Sequence, residues 1–154
     1  MPLAQLNLAL AKYPLSSHEM ADFVSMVAEV NAAAEASDGF IWRLRDDGDG
    51  SLSIRLSASG LDDDAMLVNM SVWRDLAALR SFVIDDPGHR AVMKRRAEWF
   101  HRAIEPMTVC WFVDEGETPT VDDAQAKLLE LRQSGPSDKV FEYSHRDSRK
   151  PSAS

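Results

Sequence analysis

His89 and Arg96 stand seven residues apart in a segment, Pro87–Ile104, whose apolar spacing predicts a helix. At about 100° per residue its apolar face holds Val92, Met93, Phe100, Ala103 and Ile104, with Trp99 at the edge. Both polar groups fall near the centre of that stripe. An imidazole and a guanidinium aimed at a core are either hydrogen-bonded structural groups or the lining of a pocket. As a pocket residue, His89 lies in the first helical turn, where the positive dipole end disfavours protonation. A neutral imidazole there accepts a proton from a phenol or polarises a carbonyl. Asp85 and Asp86 act in the opposite sense. As a structural residue, His89 bonds a backbone carbonyl or a strand Asn.

A buried guanidinium at Arg96 needs a partner. Glu98 points outward, which leaves a carbonyl, an acidic residue of Asp62–Asp64, a second subunit or an anionic ligand. A carboxylate or phenolate suits its bidentate fork. Asn7 and Asn69 sit mid-strand, where Asn is disfavoured, so side-chain hydrogen bonding is expected at both. If their strand faces meet the helices, Asn7, Asn69, Ser71, Trp73, His89 and Arg96 form one polar–aromatic pocket. If not, the two Asn belong to a dimer interface. Of the four tryptophans, Trp42 and Trp111 read as core or interface. Trp73 and Trp99 lie beside polar inward positions and are the pocket candidates.

The elements that hold these residues follow from periodicity. Leu3–Lys12 alternates as a first strand, with Leu6, Leu8 and Leu10 on one face and Gln5, Asn7 and Ala9 on the other. Ser16 and Glu19 form an expected capping box for a helix to Ala36, closed by Asp38-Gly39. Phe40–Arg45 is a second strand. Asp46–Gly50 is a turn that lacks the ligand spacing of a calcium loop, so no metal is expected. Ser51–Leu56 reads as a hairpin arm and Ser57–Asp64 as an acidic loop. Met66–Trp73 is a third strand and Arg74–Ile84 a helix. Asp86 caps the His89 helix with Pro87 at its first position. Met107–Val113 is a fourth strand. Thr120 caps a last helix that runs to Gly135-Pro136, and Val140–Tyr143 adds an edge strand.

Two strand–helix–strand units in tandem predict an α+β, ferredoxin-like fold: an antiparallel sheet with the main helices on one face. One domain spans 1–143, and 144–154 is a polar, disordered tail. The sheet's second, open face would pair with another copy. The 154 residues are 45% hydrophobic, enough for a core. A net charge of −8 argues against a nucleic-acid partner. No apolar run spans a bilayer and no signal peptide is evident. Cys110, the single cysteine, excludes an intrachain disulfide and reads as a small buried hydrophobe, so a cytoplasmic location is expected.

In this order, the motifs Leu3-Ala4-Gln5-Leu6-Asn7, Gly39–Leu44, Leu67–Trp73, Gly88-His89, Met93–Phe100 and Gly116–Thr120 leading to Gly135-Pro136 resemble the dimeric α+β barrel superfamily. Within it the chain resembles the bacterial family called domain of unknown function 3291, over roughly Leu3 to Phe141. The resemblance implies a homodimeric α+β barrel with a small-molecule site between sheet and helices. The superfamily includes cofactor-independent monooxygenases that oxidise polycyclic phenols in antibiotic biosynthesis. It also includes haem-binding and haem-degrading proteins. The first group implies an enzyme acting without cofactor on a small aromatic or quinol-type substrate. His89 would accept the proton, Arg96 and Asn69 would hold negative charge, and Trp73 would stack, with Asn7, Ser71 and Trp99 binding ligand. The alternative is a non-catalytic ligand-binding dimer, haem included. Asn7 is similar to a position of the haem-degrading relatives. Their axial histidine, however, falls near Val92, and Phe82 replaces their tryptophan.

Overall fold

The structure is a computed structural model that describes residues 1–44 and 66–143. Within them the order is β1 (Leu3–Leu10), a 3-10 turn (His18–Met20), α1 (Ala21–Glu35), β2 (Phe40–Arg43), β3 (Met66–Trp73), α2 (Leu76–Asp85), α3 (Pro87–Trp99), β4 (Thr108–Phe112) and α4 (Val121–Ser134). The four described strands form one antiparallel sheet in the order β2-β3-β1-β4. This interleaving of two strand–helix–strand units is the ferredoxin-like fold. The expected hairpin arm, both acidic loops and the tail after Tyr143 lie outside the described residues.

Strand alternation divides the sheet into two faces. Ala4, Leu6 and Leu8 join Val68, Met70, Val72, Val109 and Trp111 on one face, with Ala124, Leu128 and Leu131 of α4 packed on it. Leu3, Leu67, Trp73 and Cys110 point the other way, toward α1, α2 and α3. The main helices therefore share one face, as the sequence predicts. The second face differs from expectation: α4 lies on it, and its residues are buried within the single chain. Cys110 is buried as expected, and burial, with Glu142 adding to it, pushes its thiol up to about 12. No described helix is long and apolar enough to cross a membrane.

Helix ends show where local chemistry decides. The Asp86 carboxylate accepts from the His89 backbone N–H at 2.8 Å, with Pro87 at the first turn. Thr120 and Asp123 form a reciprocal capping box on α4. The box expected at Ser16 and Glu19 does not form. The chain instead turns at Pro14, whose carbonyl accepts from both the backbone N–H and the hydroxyl of Ser17, and a 3-10 turn leads into α1.

The largest correction concerns α3, which ends at Trp99 rather than Ile104. Phe100 leaves the helix in extended geometry and bridges Ala11, and the His101 N–H donates to the Leu10 carbonyl at 2.9 Å. The end of β1 offers this segment sheet partners that a longer helix would forfeit. Ile104 is consequently fully exposed. Val140–Tyr143 contributes a bridge, Phe141 to Cys110, rather than a full edge strand.

Candidate functional site

The face of the sheet that carries β1 and β3 polar residues meets the helices. Register places Asn7 directly opposite Asn69, and Gln5 opposite Ser71. On the β4 side Asn7 lies opposite Thr108. Two polar rungs thus cross the sheet beneath α1, α2 and α3. Above them is a cavity of about 620 Å³, within the usual size of small-molecule sites. Asn7, Asn69, Ser71, Trp73, His89 and Arg96 all line it. Trp99 does not. It is buried against Phe23 and Phe100, with the Arg95 guanidinium 4.8 Å above its ring. Its place at the edge of the helical stripe turns it toward α1 rather than the cavity.

The expected hydrogen bonds at the mid-strand Asn residues are not found. Neither Asn7 nor Asn69 has a side-chain partner among the described residues. Two half-buried amides, each with donors and an acceptor unspent, therefore face the cavity. Trp73 is fixed more firmly. Its indole N–H donates to the Ser71 hydroxyl at 3.0 Å, and its ring stacks on Phe82 at 5.4 Å between centroids. Phe82 in turn meets the His89 ring edge-on at 5.5 Å. An aromatic row from Phe40 through Trp73 and Phe82 to His89 forms one wall.

His89 is half-buried, and its Nδ1 is fully buried without a hydrogen-bond partner among the described residues. Burial holds its pKa below the ordinary 6.5, against the weaker opposite pull of the Val83 carbonyl and Asp86. Burial thus disfavours the charged form of the ring. The Val83 carbonyl meets the structural role in part, while Nδ1 has no hydrogen-bond partner among the described residues.

Arg96 departs from the sequence reading. It lines the cavity yet is exposed, so its guanidinium sits at the rim in contact with water. It makes no ion pair among the described residues. The desolvation cost that seemed to demand a partner does not arise, because α3 ends one turn later and leaves this end of the helix open. Neighbouring Arg95 is the paired one, bound to Asp22 at 3.0 Å and Glu98 at 2.9 Å. The Asp62–Asp64 segment considered for Arg96 lies outside the described residues.

The cavity also contains residues that sequence reasoning passed over. Asn31 lines it from α1, eight residues after Phe23 and four after Val27. Helical spacing puts it on the same stripe, so the signal was available. Gln5 adds an amide from β1, and Arg43 a guanidinium from β2. His89, Val83 and Met93 also border an open groove on the outer surface with Arg90 and Lys94. That groove lacks facing walls, whereas the cavity has polar groups on the sheet opposed to His89 on α3. Among the described residues no group of three His, Cys, Asp or Glu side chains could hold a metal ion.

Chemically, the cavity suits a small, flat, largely apolar molecule with oxygen functions. Its aromatic wall offers stacking, its amides offer hydrogen bonds, and His89 offers a base.

Comparison with known proteins gives the fold and the family. Rv0793 from Mycobacterium tuberculosis is similar at 15% identity and a TM-score of 0.52, over 76% of this chain and 100% of that one. SnoaB, a cofactor-independent oxygenase from Streptomyces nogalater, is similar at 17% identity and a TM-score of 0.48, over 74% and 94%. NE2512, a protein of unknown function from Nitrosomonas europaea, is similar at 14% identity and a TM-score of 0.49, over 77% and 95%. At such identities the likeness is one of fold. No curated protein matches the chain. The model of the family described as domain of unknown function (DUF3291) matches residues 2–153. The chain belongs to the DUF3291 family.

Proposed function

We propose that the protein is a monooxygenase-like enzyme that oxidises a small aromatic or quinol-type substrate without a cofactor. The observation that carries this reading is that His89, whose Nδ1 has no hydrogen-bond partner among the described residues, lines a cavity together with the unspent amides of Asn7 and Asn69. A base depressed below its ordinary pKa stays neutral where an acidic hydroxyl can be deprotonated.

In this mechanism His89 takes a proton from an anthrone-like substrate in its phenolic form. The resulting anion spreads its charge over the rings. Asn69 donates to the charged oxygen, and Arg96 adds positive potential from the rim. The substrate carbon then supplies its electron pair to dioxygen, and a carbon–oxygen bond forms as a peroxide. Loss of water from that peroxide breaks the oxygen–oxygen bond and leaves a carbonyl. The substrate is oxidised, dioxygen is reduced, and one oxygen atom leaves as water. Trp73, held by Ser71 and Phe82, keeps the ring plane fixed.

The test is oxygen uptake with an anthrone in an oxygen electrode. Wild-type protein should consume one dioxygen per substrate and form the quinone. His89→Ala should lower the rate by about a hundredfold or more, in line with loss of a general base. Uptake equal to the no-protein blank, or unchanged in His89→Ala, would overturn the proposal. A Soret band on adding haem, without any uptake, would favour the non-catalytic haem-binding alternative.

A further inference from the structure

We infer that Arg43 is a specificity-determining residue that binds a carbonyl oxygen of the ligand, at the end of the cavity opposite Arg96. The inference rests on the reading above, that the cavity holds a small aromatic molecule. Its starting point is a register shift in β2. Phe40 lies opposite Trp73 and Arg43 lies opposite Ser71, with a bulge between Phe40 and Trp42. Trp73 and Ser71 are two residues apart and share the cavity face. Phe40 and Arg43 are three apart, so regular alternation would put them on opposite faces. The bulge brings Arg43 round to the cavity, where it lines the wall beside Ser71. Re-aiming a side chain is what a bulge accomplishes, at the cost of ladder hydrogen bonds.

The guanidinium is then held but not used up. The Arg43 side chain is only 9% exposed. Its Nε donates to Glu35 at 3.0 Å and its Nη1 reaches the Leu44 carbonyl at 3.4 Å. Nη2 has no partner among the described residues. Arg–carboxylate pairs frequently use the planar fork bidentately. Here Glu35 takes one edge and the remaining donors are left for the cavity.

Charge selects the class of group that fits. Glu35 offsets the charge of Arg43, so an anion gains little there, while an uncharged ketone or quinone carbonyl accepts the free N–H. Arg96, with no ion pair among the described residues, is the end for an anionic oxygen. The two ends are far apart. Asp22, which holds Arg95 beside Arg96 in sequence, and Glu35, which holds Arg43, are thirteen residues apart on α1, about 20 Å along its axis. Ligands are thereby sorted by orientation: carbonyl toward β2, ionised hydroxyl toward α3.

Isothermal titration with two probes tests this: chrysazin, a dihydroxyanthraquinone, and the matching dihydroxyanthracene, which lacks the carbonyls. Wild-type protein should bind chrysazin about tenfold more tightly. Arg43→Met should abolish the preference, leaving dihydroxyanthracene binding unchanged, and Arg43→Lys should restore part of it. Because Arg43→Met removes one partner of Glu35, the double variant Glu35→Gln/Arg43→Met provides the folded control and should show the same loss. A preference that survives in these variants, or affinity for both probes lost in parallel, would overturn the assignment. Binding of neither probe by wild type would overturn the cavity reading itself, and this assignment with it.

Discussion

Two neighbours, Asp86 and Phe82, position the residue on which the proposed site depends. His89 is placed by its own backbone, because Asp86 caps α3 through the His89 N–H and Phe82 braces the ring. The imidazole is thus oriented by neighbours that leave Nδ1 free. Its lowered pKa has a consequence for stability. The unfolded chain takes up a proton near the ordinary 6.5, while the folded chain resists it. The contribution of His89 is therefore fully present above that value. It is lost as pH falls from there toward the lowered folded pKa, where the loss levels off. Urea titrations from about pH 7.5 to pH 5.5 should show wild type losing more stability than His89→Gln. Equal slopes in the two proteins would show that the ring is not held neutral. His89, Asn7, Asn69, Ser71 and Trp73 were legible in the sequence because each breaks or completes a clean period of 3.6 or 2. Arg43 was not, because a bulge changes the parity on which alternation relies. Arg96 was legible as a cavity residue but not as an exposed one, because its burial depends on where α3 stops.

At the level of elements, positions and types followed from pattern, and ends followed from contacts that no single segment contains. β3 matches its expected limits because alternation runs unbroken from Met66 to Trp73. α2 starts at Leu76, the first residue of its apolar stripe and two residues after the expected Arg74, because the Asp75 carboxylate caps it through the Ala78 N–H at 2.8 Å. α3 loses its last five expected residues to β1, whose end captures Phe100 and His101. Gly39 shows how tightly the turn between α1 and β2 is built. Its φ is +87°, and a Cβ there would meet the Ala78 Cβ at 2.5 Å. Left-handed strain and contact with the start of α2 add together, so Gly39→Ala should cost about 2 kcal/mol or more. Urea denaturation measures this, and a cost within about 0.5 kcal/mol would show that the turn relaxes freely. Since β2 carries Arg43, the same turn positions one end of the cavity.

For the molecule as a whole, the two faces of the sheet have different tasks. One face is closed by α4 through Ala124, Leu128 and Leu131 and carries the largest apolar cluster. The other supports the aromatic row and the polar rungs beneath α1, α2 and α3. With α4 in place, the homodimer implied by family resemblance draws no support from an open apolar sheet, and any such contact must use other surfaces. The fold was legible because strand order and helix placement follow from patterning. The covering role of α4 was not, because an amphipathic helix does not say which face of a sheet it will cover. The central claim is that the cavity under α1, α2 and α3 receives a flat aromatic ligand beside a neutral His89. An NMR titration with chrysazin at pH 7 tests it most directly, by following the His89 ring and the Asn7 and Asn69 side-chain amides. The expected result is a neutral imidazole in the free protein and saturable shifts of all three on binding. Shifts confined to other residues, or a protonated ring at that pH, would contradict it.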